Sequence, residues 1–312
     1  MAEATWHVLG AGAIGCLFAD YLVRGNCEVT LIERAGKTPG PILLESACAE
    51  TATSANPGAR GAAHAPLRAL GARTGVPKDS GPITHLLITT KAYDVLTAMA
   101  SIAPRLGNTV ALLMVNGLGL AESLSQTYPQ LSVFYGTTTE GAYRRNRRHV
   151  VHAGRGETRI GAAHAAEPPP WFGQWSRSVP RCLWDADIDT ALWAKLAVNC
   201  VINPLTAVHG CRNGALAERP ELAARVAQLC REVSQVSYAA GYTGTAQAID
   251  AMVARVIQAT AANRSSMLQD VQAGRPTEIE YITGYLLQVA AAHGVPAVHN
   301  RQIMQEVERL DP

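Results

Sequence analysis

The sequence predicts an α/β protein: a doubly wound, largely parallel sheet followed by an all-α region. Three observations carry this. A strand–turn–helix–strand frame opens the chain. Buried strands and helices then alternate to about residue 120. Beyond Asp187 only helical periodicity is left. Alternation of the first kind is the mark of a parallel sheet covered by helices on both faces.

The opening frame is the most specific element. Apolar residues 5–9 run into Gly10-Ala11-Gly12-Ala13-Ile14-Gly15, a helical pattern follows over 16–22, Gly25-Asn26 makes a turn, and 28–32 is a second strand. Glycines at that spacing permit a tight turn, close backbone approach to a pyrophosphate and close helix–strand packing, with the helix N-terminus facing the phosphates. A glycine-rich turn without a nucleotide is the alternative, and the complete frame disfavours it. The domain is therefore expected to be of the Rossmann type.

Residues 37–82 are rich in Ala, Gly, Pro and Ser and are expected to be irregular connection with short strands. Residues 85–90 and 109–115 are buried strands on either side of a helix over 92–102, which stops near Pro104. Residues 133–138 and 150–152 look like later strands, with antiparallel pairing left open. Pro168-Pro169-Pro170 reads as an extended surface break. The main helices of the second half are expected at 191–203, 221–241, 246–268 and 277–292. A boundary near residue 186 then gives a nucleotide-binding domain, 1–186, and a helical substrate and catalytic domain, 187–312.

Composition narrows the function. The chain has 312 residues, 48% hydrophobic and 17% charged, enough for sizeable cores in two domains. A formal net charge of +2 offers no field suited to nucleic acid. The one basic cluster, Arg144-Arg145-Asn146-Arg147-Arg148, reads as a solvated hairpin turn. Seven cysteines stand singly, with no CxxC pair, which argues against a disulfide framework or a zinc site; no metal is expected. No apolar run approaches the ~20 residues of a membrane span, and the glycine frame lies too near the start for a signal peptide. A cytoplasmic protein with no membrane partner is the expectation.

A polar stripe crosses one of the most apolar segments. Lys195, Asn199 and Asn203 recur at i, i+4 and i+8 within residues 191–204. On a helix they fall within roughly 80° of one another. An ammonium in an apolar wall is costly unless paired. A lysine there shifts its pKa readily, which suits proton transfer. A lysine that snorkels to the surface from a core helix is the bland alternative, and the residues alone leave it standing.

Near the C-terminus, Asn263 to Asp270 and Gly274 to Tyr281 form a second constellation. Gly274 and Pro276 stop one helix and open another. Thr277 is a plausible N-cap, with Glu278 and Glu280 in the first turn, where the helix dipole favours carboxylates. Either glutamate could be first-turn decoration, and a serine such as Ser266 near a helix end is more often a cap than a ligand.

These stretches together resemble the ketopantoate reductase (2-dehydropantoate 2-reductase) family. The matching blocks are residues 10–15, Thr90-Lys91-Ala92, Asn116-Gly117-Leu118-Gly119, Gly136-Thr137-Thr138-Thr139, residues 192–207, residues 265–270 and residues 277–281, in family order over nearly the whole chain. The resemblance implies NADPH as cofactor, held by Gly10, Ala11, Gly12, Ala13, Ile14, Gly15, Arg34, Lys91 and Asn116. Arg34 would meet the 2′-phosphate, and Lys91 would sit at the cofactor–substrate junction. It implies Lys195 as general acid and Glu278 as its catalytic companion, hydrogen-bonding the substrate hydroxyl region. Asn116, Asn199, Asn203 and Ser266 would hold the substrate, Ser266 at its carboxylate end. The implied reaction is reduction of ketopantoate to (R)-pantoate for pantothenate and coenzyme A synthesis, in a cleft between the domains, by a monomer or homodimer.

Two features depart from the family. Residues 37–82 follow no family pattern, and Glu33 precedes Arg34 at the end of the second strand. An acidic residue roughly 20 positions after the glycines ordinarily holds the ribose 2′-OH of NAD. Glu33 therefore weighs against the NADPH preference. A paralogue reducing another 2-oxo acid or imine, or a nucleotide-sensing module without turnover, are the competing readings. The joint presence of Lys195, Ser266 and Glu278 speaks against a sensor, which has no need of a proton donor.

Overall fold

The computed structural model describes residues 5–34, 40–47, 67–163 and 165–312. Of the Ala/Gly-rich stretch, residues 37–39 and 48–66 lie outside the described residues. The chain divides into two compact units, one of residues 1–115 and 121–188, the other of residues 116–120 and 189–312.

In chain order the first unit contains β1 (Thr5–Leu9), α1 (Ala13–Arg24), β2 (Glu28–Ile32), β3 (Leu43–Ser46), β4 (Arg68–Ala69), β5 (Arg73–Gly75), β6 (Ile83–Ile88), α2 (Val95–Ile102) and β7 (Leu106–Leu113). It continues with α3 (Leu120–Thr127, its first residue counted with the second unit), β8 (Ser132–Thr138), β9 (Gly141–Asn146), β10 (His149–Gly154), β11 (Thr158–Gly161), α4 (Phe172–Ser178) and β12 (Cys182–Trp184). Among the described residues these make an eight-stranded sheet, β12-β11-β8-β7-β6-β1-β2-β5, and a four-stranded one, β4-β3-β10-β9. The run from β8 to β5 is parallel throughout. Strand β8, whose pairing sense the sequence left open, is parallel to β7; antiparallel pairing among the described residues appears at β8–β11, β9–β10 and β3–β4. The strand order reverses at β1, and such a switch point is where open α/β sheets bind ligands, beyond the carboxyl ends of the strands.

Residues Gly15 to Leu22 of α1 are all buried, although a helix on one face of a sheet needs only a stripe of apolar side chains. The smaller sheet explains the rest: β9 and β10 pack on α1 in addition to β1 and β2. The core beneath is aromatic. Trp6 and Trp175 are fully buried, their rings 4.6 Å apart, and Phe18 stacks on Trp175 at 6.1 Å. Burying each such side chain contributes on the order of 1.5–3 kcal/mol.

The second unit is helical: α5 (Ile188–His209, its first residue counted with the first unit), α6 (Ala215–Glu218), α7 (Pro220–Ala239), α8 (Thr243–Ala259), α9 (Ser266–Gln272), a π-helical turn (Glu280–Gly284), α10 (Tyr285–Ala292) and α11 (Val298–Glu308). Its core joins Trp193, Val201 and Leu205 of α5 to Val233, Val253, Ile282, Leu286 and Ile303. Trp193 donates to Ser237 Oγ at 2.9 Å and lies flat on Tyr242 at 4.6 Å, which sets the rotation of α5.

Four local expectations change here. Helix α5 does not stop at Asn203 but runs through Pro204 to His209. An interior proline costs a hydrogen bond, and the burial of Leu205, Thr206 and Ala207 outweighs it. With that length α5 alone among the described residues is apolar and long enough to cross a membrane; 67% of that window is buried in the helical core, as befits a core helix. The helix expected over 246–268 is two helices, α8 and α9. The break is held from elsewhere in the chain: Asn213 N and Gly214 N donate to Asn263 O and Ala261 O, and Asn213 Nδ2 to Thr260 Oγ1. Thr277 caps no helix; its backbone N–H and hydroxyl both donate to the Asp311 carboxylate.

Candidate active site

In the first unit the glycine turn lies against the end of β6. Thr89 N–H donates to Leu9 O at 2.9 Å and Thr89 Oγ1 to Gly10 O at 2.9 Å. Gly10 has φ +112°, and a Cβ there would stand 2.7 Å from Thr90 N. A Cβ on Gly15 would stand 2.1 Å from Gly10 O. These two glycines are required by the protein's own packing. Gly12 is different: the nearest atom to a Cβ there is Thr89 O at 3.8 Å, so nothing within the described residues requires a glycine. Gly12 is also the N-cap of α1, with no side-chain cap and no acidic residue in the first turn. A helix N-terminus without a capping side chain suits a pyrophosphate. The residues present therefore fit a dinucleotide, with Ala11, Ala13 and Ile14 half-buried around the turn.

Around that turn, Lys91 is half-buried and precedes a short 3₁₀ turn, where Asp94 N–H donates to Lys91 O. Arg34 is exposed and ion-paired with Asp94. Glu33 is paired with Arg148, whose Nη1 donates to Glu33 Oε1 at 3.1 Å. Arg144 donates to Ala11 O within the glycine turn. The basic cluster is thus a hairpin turn, but Arg144 and Arg148 are half-buried and engaged rather than solvated. A single sequence does not show what a hairpin docks against, so neither arginine could be singled out.

The second unit brings together Asn116, Lys195 and Glu278. Lys195 lies on α5, half-buried, with Asn199 also half-buried and Asn203 buried along the same helix. Burial pulls the Lys195 ammonium down from its ordinary range to about 8, and the Glu278 charge opposes that shift. Glu278 is only 4% exposed. Asn116 Nδ2 donates to its Oε2 at 3.3 Å. Glu278 lies two residues before the π-helical turn, and π-turns are frequent at functional sites. The same turn seats residues 116–120: Leu118 N–H donates to Tyr281 O at 3.0 Å. Gly117, at φ +85°, could carry no Cβ, which would stand 2.4 Å from Tyr281 O.

Ser266 is the exposed first residue of α9. Its neighbour Ser265, which the sequence reading passed over, is the buried N-cap and accepts from Leu268 N–H at 3.0 Å. Thr206 Oγ1 lies 2.7 Å from Ser265 Oγ and 3.0 Å from Asn203 O, so the start of α9 is anchored beside Asn203. Among the described residues no group of three or more His, Cys, Asp or Glu could hold a metal ion.

The arrangement offers a dinucleotide cradle in one unit and, in the other, a buried ammonium beside a hydrogen-bonded carboxylate. An ammonium beside a carboxylate is a pair that can hold and move a proton. The chain also matches known proteins. Residues 6–165 match the family model described as ketopantoate reductase PanE/ApbA, and residues 187–311 its C-terminal counterpart. The chain is similar to a 2-dehydropantoate 2-reductase of Vibrio cholerae, 36% identical over 97% of both chains. It is also similar to one of Shigella flexneri, 40% identical over 97% of this chain and 94% of the other. Among solved structures, a PanE/ApbA family ketopantoate reductase from Ralstonia eutropha JMP134 has a TM-score of 0.82 at 23% identity, covering 98% of each chain. The chain belongs to the ketopantoate reductase family, and is an NAD(P)-dependent oxidoreductase.

Proposed function

We propose that the protein reduces 2-dehydropantoate (ketopantoate) to (R)-pantoate with NADPH, the reductive step toward pantothenate and coenzyme A. The observation that carries this reading is the Lys195–Glu278–Asn116 group within a chain of this family. A nicotinamide cofactor, when bound, would supply the hydride for C2 of the 2-oxo acid. The oxygen that gains charge needs a cation and then a proton. Lys195 provides both: with a pKa of about 8 it is mostly charged at neutral pH, yet its proton leaves more readily than from an ordinary lysine. Glu278 favours the charged ammonium and, held by Asn116, accepts the hydrogen bond of the hydroxyl that forms. Asn199 and Asn203 extend the polar face of α5 along the substrate, and Ser266 takes the carboxylate end.

The test is NADPH oxidation by the purified protein with ketopantoate and a panel of other 2-oxo acids. The highest kcat/KM is expected for ketopantoate. A different 2-oxo acid turned over with greater kcat/KM would replace the assigned substrate while leaving the reaction class intact.

A further inference from the structure

The end of β2 carries two adjacent residues of opposite charge, and each is held by a different partner. The Arg34 side chain is 71% exposed and paired with Asp94. The Glu33 side chain is 11% exposed and paired with Arg148, itself 25% exposed. Arg148 sits in the turn between β9 and β10. The same hairpin sends Arg144 to Ala11 O and to within 3.8 Å of Cys16 Sγ, and Arg145 to Glu45 at 2.7 Å. One hairpin therefore reaches both the glycine turn and the end of β2. In a sheet of this type those are the places that hold the pyrophosphate and the adenosine ribose.

A carboxylate at Glu33 would ordinarily accept a hydrogen bond from a ribose 2′-OH and repel a 2′-phosphate. We infer that Arg148 is a positioning residue for cofactor selection: by holding Glu33 in an ion pair it silences that carboxylate and leaves Arg34 to set a preference for the 2′-phosphorylated cofactor. The inference rests on the NADPH reading above. It removes the conflict between Glu33 and Arg34 that the sequence presents. It also makes the selection depend on a residue more than a hundred positions away from the strand it acts upon.

The test is calorimetric binding of 2′-phospho-ADP-ribose and ADP-ribose to the full chain, a readout independent of turnover. In Arg148→Met the freed Glu33 charge should weaken the phosphorylated probe roughly tenfold or more, with ADP-ribose unchanged or tighter. Adding Glu33→Gln to that variant should return the ratio to that of the unmodified protein. A ratio unmoved by Arg148→Met overturns the inference, as does a double variant that stays poor, since Arg148 would then be contacting the phosphate itself. Equal losses for both probes in a folded Arg148→Met protein would assign the pair to the fold alone. If Arg148→Met does not fold, Glu33→Gln alone decides. A silenced carboxylate predicts a nearly unchanged ratio, and a large gain for the phosphorylated probe contradicts it. The unmodified protein's own ratio tests the NADPH reading separately: equal binding of the two probes removes that reading, and the shift caused by Arg148→Met still judges the pair.

Discussion

Asn116 and Glu278, 162 positions apart in the chain, are joined by a hydrogen bond from Asn116 Nδ2 to Glu278 Oε2. Both ends are fixed by one structural device. The π-helical turn at Glu280–Gly284 follows Glu278 closely and offers Tyr281 O to Leu118 N–H, so that the segment carrying Asn116 is seated on the element next to Glu278. The carboxylate is thereby held in one orientation, and Lys195 feels its charge.

The first prediction follows from that charge. Glu278 raises the pKa of Lys195, and burial lowers it. If reduction needs protonated Lys195, kcat/KM falls as pH rises through that pKa. Glu278→Gln removes the raising influence and should move the alkaline limb to lower pH. A pH profile of kcat/KM checks this, and an unmoved limb would show that the two groups are not coupled.

The same burial makes Lys195 a cost to the fold. Its folded pKa of about 8 lies below the ordinary 10.5, so the charged form is disfavoured in the native state. The penalty is present in full below about pH 8 and fades as pH rises toward 10.5. Lys195→Met should therefore stabilise the protein at pH 7 by roughly 1–3 kcal/mol, while abolishing most activity. Denaturant titrations at pH 7 and pH 10.5 should show the gain at the first and little at the second.

Ser265 and Ser266 should separate cleanly. Ser265 is the N-cap of α9, and Ser265→Ala should cost about 1 kcal/mol of stability. Ser266→Ala removes no contact of that kind. If Ser266 meets the substrate carboxylate, a bond of about 1.5–3 kcal/mol is lost and kcat/KM for ketopantoate drops roughly 10- to 100-fold. Thermal midpoints and NADPH binding should stay unchanged in that variant; a loss of NADPH affinity alongside would mark Ser266 as structural.

Arg34 is exposed and ion-paired with Asp94. A guanidinium can take a 2′-phosphate in a bidentate fashion. Arg34→Ala should raise the apparent KM for NADPH far more than for NADH. Steady-state kinetics with both cofactors checks it, and an equal effect on both would remove Arg34 from phosphate recognition.

The elements legible in the sequence were those written in local patterns. The glycine turn and the polar stripe of α5 are periodic or fixed in spacing, and the structure forms both. Glu278 was not separable from ordinary first-turn glutamates, because its neighbours Asn116 and Lys195 arrive from elsewhere in the chain. Ser265 and Ser266 are identical in type and adjacent, so only the N-cap geometry tells them apart. The break between α8 and α9 contains no glycine or proline to announce it; Asn213 and Gly214, some fifty residues earlier, make it by taking the carbonyls that would have continued the turn. The Glu33–Arg148 pair was hidden for the same reason, since the fold alone brings the β9–β10 hairpin to the end of β2.

The central claim is that Lys195 donates the proton, and the most direct test is kcat of Lys195→Ala with ketopantoate and saturating NADPH. General acid catalysis contributes about 10²–10⁴-fold, so kcat should fall by an amount in that range. The variant should still unfold cooperatively and bind NADPH as the unmodified protein does. A folded Lys195→Ala protein with near-normal kcat would contradict the account.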